Sequence, residues 1–364
     1  MDISVQKLYL HTLLILFSMP AIAQERWPSP EVEQMYAHAR EYALAGDLKD
    51  AITTYKQAIL LAPAKTVLYK ELGRCQYLSA DYSEAEHTLS GLFTSKDADA
   101  ECYQLLAASQ AAGQKRKEAR RTLKNGISLF PASGLLYGES GKEYADENKR
   151  EDALNAWLDG IEQDPAFAQN YYEAALAYLS TETVLWGLIY AEEFLDMKHD
   201  TSKDDAVKNK LYTGYRKMFD NIVANDVPEY GHTRPKPDAK TFEDAVMKIY
   251  TALTPVVSDG ITTETLTMVR TRFLMEWFSQ YGNKYPFSLF SYHDDLVRSG
   301  HFDIYNEWLF GNAESRVQYD AWNQFHEGDI ARFLQWQAGH AFSPAARQFY
   351  NSRDMEGLFA KKKK

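Results

Sequence analysis

Sulfur is scarce in this chain. Two cysteines in 364 residues, Cys75 and Cys102, exclude a disulfide framework. Both fall in helical pattern, where a free cysteine is commonly a small buried hydrophobe; the favoured reading is two thiols, although export would permit a bridge. Positive charge is in the minority, with 40 Lys and Arg against 51 Asp and Glu and a net charge of -11. That balance excludes a general nucleic-acid binder, which needs a basic surface to displace counterions, and any attraction to anionic lipid. Period-two alternation is missing too, which excludes a strand-built domain. What remains is a foldable chain, 45% hydrophobic and 25% charged, long enough for two or three domains or one solenoid.

Signatures of catalysis are equally thin. The stretch "GLLYGESGKE" at 134–143 lacks the first glycine and the final Ser or Thr of a phosphate loop, because Leu136 and Glu143 stand there. Nor does it contain G-x-S-x-G on a strand-to-helix elbow. Near "SYHDDLVRSGH" the chain brings together His293, Asp294, Asp295 and His301. Helical neighbours diverge by about 100°, so these do not converge on one ion, and the expected reading is a solvated helix face with no metal. His232, His326 and His340 are scattered. No catalytic residue, metal or cofactor is assigned.

The first residues read as an export signal. Lys7 precedes the apolar run "LYLHTLLILFSMP", and Ala21-Ile22-Ala23 then offers a small-x-small site. The run is short for a membrane span and Pro20 breaks it. Cleavage is expected between Ala23 and Gln24, leaving a periplasmic or extracellular chain with no integral span. The alternative is an uncleaved anchor.

From residue 32 a period of 34 appears. It spaces Ala51, Ala85, Ala119 and Ala153; Ala39, Gly73, Ala107, Gly141 and Ala175; and Tyr55, Leu89, Leu123 and Trp157. Pro63, Pro131 and Pro165 keep the same register. Small residues allow two helices to pack closely, large ones fill the flanking holes, and proline cannot continue a helix. The turns "AGDL", "SADY", "AAGQ" and "ADEN" fall between the helices. The first unit includes Tyr42, Ala58 and Pro63; the second opens on Tyr69, Leu72 and Gly73; the fourth carries Tyr137, Gly141 and Tyr144. A fifth begins with Tyr171, Ala175 and Tyr178 and then drifts at Gly187.

These units resemble the tetratricopeptide repeat, a 34-residue helix–turn–helix. The resemblance covers residues 32–200 and implies an all-α right-handed superhelix of four good repeats plus a degenerate fifth. It implies a partner site on the concave face, formed by fixed positions of each first helix. Here those positions carry Tyr36, Arg40, Lys70, Arg74, Tyr77, Gln104, Ala108, Lys142 and Tyr172. Arg40, Lys70, Arg74 and Lys142 resemble part of the carboxylate clamp of some such proteins, whose asparagines are absent here. The expectation is a protein or peptide partner with an acidic or C-terminal segment, held by charge-assisted hydrogen bonds.

Around this array the organisation reads as a signal at 1–23, a short leader at 24–31, a helix and proline-rich linker at 201–240, an aromatic-rich helical domain at 241–353 and a tail at 354–364. Helices are predicted at 241–253, 262–281, 287–298, 302–311, 314–326 and 328–338. The functional expectation is a non-catalytic adaptor of the cell envelope. Two alternatives stand: an enzyme whose C-terminal half gathers His293, Asp295 or Glu307 in a pocket, and a glycan binder using exposed Trp308 or Trp322, although aromatics at helical spacing more often form core.

Overall fold

A computed structural model describes residues 27–94, 98–181, 184–225 and 241–344. The export signal, most of the linker and the basic tail lie outside these residues. The described chain divides into two compact units, between Ala156 and Trp157. The division falls inside a helix of the repeat array and not at the 201–240 transition.

The first unit is built of helical hairpins: α1 (Pro30–Ala45) with α2 (Leu48–Leu61), α3 (Thr66–Leu78) with α4 (Tyr82–Ser90), α5 (Ala100–Ala112) with α6 (Arg116–Leu129), and α7 (Gly134–Asp146) leading into α8 (Arg150–Gln163). The small residues of the 34-residue series are buried. Ala39, Ala51, Ala85, Ala107 and Ala119 have no exposed surface. A Cβ added at Gly73 would lie 2.6 Å from Leu89 Cγ, so glycine is required for that approach. Caps fix the starts: Ser29 Oγ accepts from Val32 N ahead of Pro30 at the first turn of α1, and Asp99 accepts from Cys102 N to open α5.

The turns share a second periodic feature. Gly46, Ala80, Gln114 and Asn148 have φ of 85°, 63°, 64° and 59°, and they are spaced by 34 residues. Each hairpin therefore needs one left-handed residue, and only the first turn meets that need with glycine. An L-residue there costs about 1–2 kcal/mol.

In the second unit α9 (Ala168–Leu179) and α10 (Leu185–Asp196) complete the fifth hairpin that the sequence pattern left drifting. The pattern drifts because α10 is buried along its whole length. A helix covered on all sides loses its amphipathic stripe. Gly187 is still the contact point, since a Cβ there would meet Leu179 N at 2.8 Å. Then come α11 (Asp204–Asn225), α12 (Phe242–Ala252), α13 (Thr263–Gln280) and α14 (Ser288–Arg298). Next is α15 (Phe302–Asn306), which runs through a π turn at Glu307–Gly311, followed by α16 (Arg316–Phe325) and α17 (Glu327–Gly339). The predicted helices match these within about three residues at each end. The aromatics are largely core. Phe242 sits within 5.9 Å of Trp186, Trp277, Phe287 and Phe290, centroid to centroid. No strand of a sheet occurs among the described residues, which hold one isolated bridge between Met197 and Phe342. None of the described helices is long and apolar enough to cross a membrane.

Two stability measurements follow. Ala80→Gly should raise the free energy of unfolding in urea by up to about 1 kcal/mol by removing left-handed strain; a loss of stability would contradict the turn geometry. Gly187→Val should cost about 2 kcal/mol or more, because the added atoms meet backbone that cannot yield.

Candidate functional site

The sequence-predicted face is held by α1, α3, α5 and α7, with Tyr172 on α9 in the second unit. Tyr36 is half-buried, its ring 4.7 Å from that of Trp27 and 6.2 Å from that of Tyr55. The Arg40 guanidinium lies 5.8 Å from the Tyr36 centroid. Tyr172 packs 5.2 Å from Phe194, with Lys203 Nζ 4.1 Å from its ring.

Most of the remaining residues fall in two clusters, one joining α3 to α5 and one joining α5 to α7. Lys70 Nζ is 2.9 Å from Asp99 Oδ2 and 2.8 Å from Glu101 Oε2. Arg74 is buried and donates to Glu71 Oε2 at 3.1 Å and to Glu101 Oε1 at 2.5 Å. Burial would lower the pKa of both cations, but these carboxylates outweigh it and raise both above their usual values. Gln104 Nε2 donates to Glu139 Oε2 at 3.1 Å, and Lys142 Nζ lies 3.3 Å from Glu139 Oε1. Tyr77 is half-buried, with its ring 5.7 Å from Tyr82. The structure thus joins Lys70 with Arg74 through Glu101, and Gln104 with Lys142 through Glu139, internal counter-charges that the residue pattern alone did not reveal. A signal for them exists. Arg74–Glu101, Arg116–Glu143 and Arg120–Glu147 are all ion pairs with a separation of 27, so a cation in one repeat meets a carboxylate seven places early in the next.

Cys75 and Cys102 are free and buried, and burial pushes both thiols up to about 12. A cleft of about 1070 Å³ opens elsewhere, among Ile59, Leu60, Tyr69, Leu72 and His87. It adjoins α4, which has 9 residues where α2, α6 and α8 have 14. None of the predicted site residues lines it.

The second unit holds a polar cluster that the sequence reading missed. Glu192 and Asp196 from α10, Arg270 from α13, His293 from α14 and Tyr305 with Asn306 from α15 are all buried. Glu192 Oε2 pairs with Arg270 Nη2 and lies 3.3 Å from His293 Nε2. Glu192 Oε1 accepts from Tyr215 of α11 at 2.7 Å. Arg270 Nη1 donates to Asn306 Oδ1. Tyr305 donates to Asp196 Oδ2 at 2.7 Å, and its oxygen lies 3.3 Å from His293 Nε2. His293 is therefore not part of a solvated face, as its neighbours had suggested. It shares the inward stripe of Leu289, Tyr292 and Leu296, which are also buried. Asp295 is exposed, and Asp294 pairs with Arg298 at 2.5 Å. Glu307 is half-buried, raised by burial and by Glu314. Trp308 and Trp322 are half-buried; the first has Lys208 Nζ 3.6 Å from its ring, and the second stacks on His326 at 4.3 Å.

Burial controls protonation in this cluster. It pushes Asp196 and Glu193 well above the usual carboxylate range, against the Tyr305 hydrogen bond in the case of Asp196. Burial and then Arg270 hold His293 well below its usual value, so it is neutral near pH 7. A cavity of about 20 Å³ lies among Glu192, Tyr215, Arg270 and His293, room for a single water. Among the described residues no group of three or more His, Cys, Asp or Glu is placed to hold a metal ion.

Residues 42–109 match the tetratricopeptide repeat family. No curated protein matches the chain. Solved structures resemble it at low identity. A thermophilic tetratricopeptide protein of Thermus thermophilus is 16% identical, with 50% of this chain and 98% of that one aligned at a TM-score of 0.41. MamA of Desulfovibrio magneticus is 12% identical over 46% and 95%, at 0.37. A tetratricopeptide protein of Parabacteroides merdae is 13% identical over 72% and 100%, at 0.39. The described residues are helical, and the tetratricopeptide match covers residues 42–109 of them.

Two outcomes test the buried cluster. Glu192→Leu or Arg270→Met alone should cost about 3–5 kcal/mol by stranding one charge, and the double variant should recover most of that loss. His293 takes up its proton more readily unfolded than folded. Its contribution to stability is present above about pH 6.5 and is lost as pH falls. Wild type should therefore lose stability in urea between about pH 7 and pH 5 more steeply than His293→Gln. Equal slopes would contradict a neutral buried imidazole.

Proposed function

We propose that this protein is a non-catalytic scaffold of the cell envelope that holds a protein or peptide segment against the face made by α3, α5 and α7, with α1 extending it. The observation that carries the reading is a pair of side-chain clusters on successive first helices: Glu101 of α5 holds Lys70 and Arg74 of α3, and Glu139 of α7 holds Gln104 of α5 and Lys142. Such clusters preorganise a surface and lower the ordering cost of binding. The family match at residues 42–109 supports the same reading.

An acidic or C-terminal segment, as in the carboxylate clamp, would compete with Asp99, Glu101 and Glu139 for these cations. The enzyme reading gains a converging set of titratable groups, but around a space that admits one water. Export rests on the N-terminal pattern: a mature chain starting at Gln24 should appear by mass spectrometry in the periplasmic or extracellular fraction.

Partner capture from the protein's own envelope extract tests the site. Tyr77→Ala with Lys142→Ala should lower capture about tenfold, while Trp322→Ala leaves it unchanged, helix content being equal by circular dichroism. Full capture by the Tyr77/Lys142 variant would remove this face from consideration.

A further inference from the structure

We infer that the face of α3, α5 and α7 selects a basic segment of its partner, one bearing lysine or arginine, over an acidic one. The inference rests on the proposed binding face and names the chemistry of its ligand. The charges are unequal in number. Lys70, Arg74 and Lys142, with Arg116 of α6, meet Glu71, Asp99, Glu101, Glu139, Glu143 and Asp146, which makes four cations for six carboxylates. The two most exposed groups of the set are both carboxylates. Asp99 is 52% and Asp146 43% exposed, against 2% for Arg74, 17% for Lys70 and 39% for Arg116. Lys142 is 40% exposed but held by Glu139.

Gln104 is an independent observation. It is 2% exposed and lies on α5, the helix that also carries Glu101. Its amide nitrogen is committed to Glu139, so its oxygen must accept. That oxygen has no hydrogen-bond partner among the described residues. A buried acceptor of this kind calls for a donor, and lysine and arginine side chains carry donors only. The half-buried Tyr77 ring adds a π surface suited to a cation. The chain's net charge of -11 steers such a segment inward.

Fluorescence anisotropy with the full chain tests this, using three labelled peptides of alternating Lys-Ala, Ser-Ala and Glu-Ala. The Lys-Ala peptide should bind at least about tenfold tighter than the other two, less so as salt rises. Asp99→Asn with Asp146→Asn should weaken it several-fold; asparagine still caps α5, so the helix is kept. Glu118→Gln with Asp152→Asn removes the same charge from exposed positions elsewhere and should change nothing. Equal loss in both double variants, or Glu-Ala binding as tight as Lys-Ala, overturns the inference. If Ser-Ala or Glu-Ala binds best and Tyr77→Ala abolishes it, the binding face stands and its basic selectivity falls. If no peptide binds, both fall.

Discussion

Close helix approach at a few side-chain-poor positions is the constraint from which the repeat array follows. Gly73 marks where one helix presses on its neighbour, since Leu89 lies where its Cβ would have to go, and Ala39, Ala107 and Gly141 are buried in the same register. Apolar burial supplies the driving force, but burial alone would accept many packings. Small contacts at a fixed period select one, and the same period then places Tyr55, Leu89 and Leu123 in the holes beside them, all fully buried. Hairpins of this kind cannot cover their own apolar faces and so stack.

Much of this was legible in residue order. The period, the helix ends at proline and the second-half helices were readable because each is local: a turn, a cap or a stripe. What escaped were the consequences of neighbours far along the chain. Lys70 and Arg74 looked like exposed charge because their counter-ions lie one repeat later, at Asp99 and Glu101. His293 looked solvated because Asp294 and Asp295 flank it, although Leu289 and Leu296 marked its face as inward. In "LWGLIYAEEFLD" the carboxylates of Glu192, Glu193 and Asp196 interrupt an apolar run, a pattern that in water-facing helices would mean surface. Here the whole helix is enclosed.

The two polar networks serve different ends. On α3, α5 and α7 the ion pairs are partly wet, and such pairs add little net stability. Their effect is to fix side chains in place, which suits recognition. In the second unit the pair of Glu192 and Arg270 is dry, and its attraction is largely spent against desolvation. Its hydrogen-bonded partners Tyr215 and Asn306 leave few alternative arrangements of the helices that carry them.

Repeat proteins often unravel from an end, because each unit touches only its neighbours. Helix α10 is exempt from that behaviour. Glu192 on α10 is compensated by Arg270, 78 residues later, and Asp196 by Tyr305, 109 residues later. Peeling away α13 would strip Glu192 of its counter-charge, and peeling away α15 would strip Asp196 of its hydrogen bond, while each also exposes buried apolar side chains. The fifth hairpin and the aromatic helices therefore melt as a single cooperative block, and hydrogen exchange along α10 should keep pace with that of α13 rather than follow the piecemeal fraying of a solenoid end.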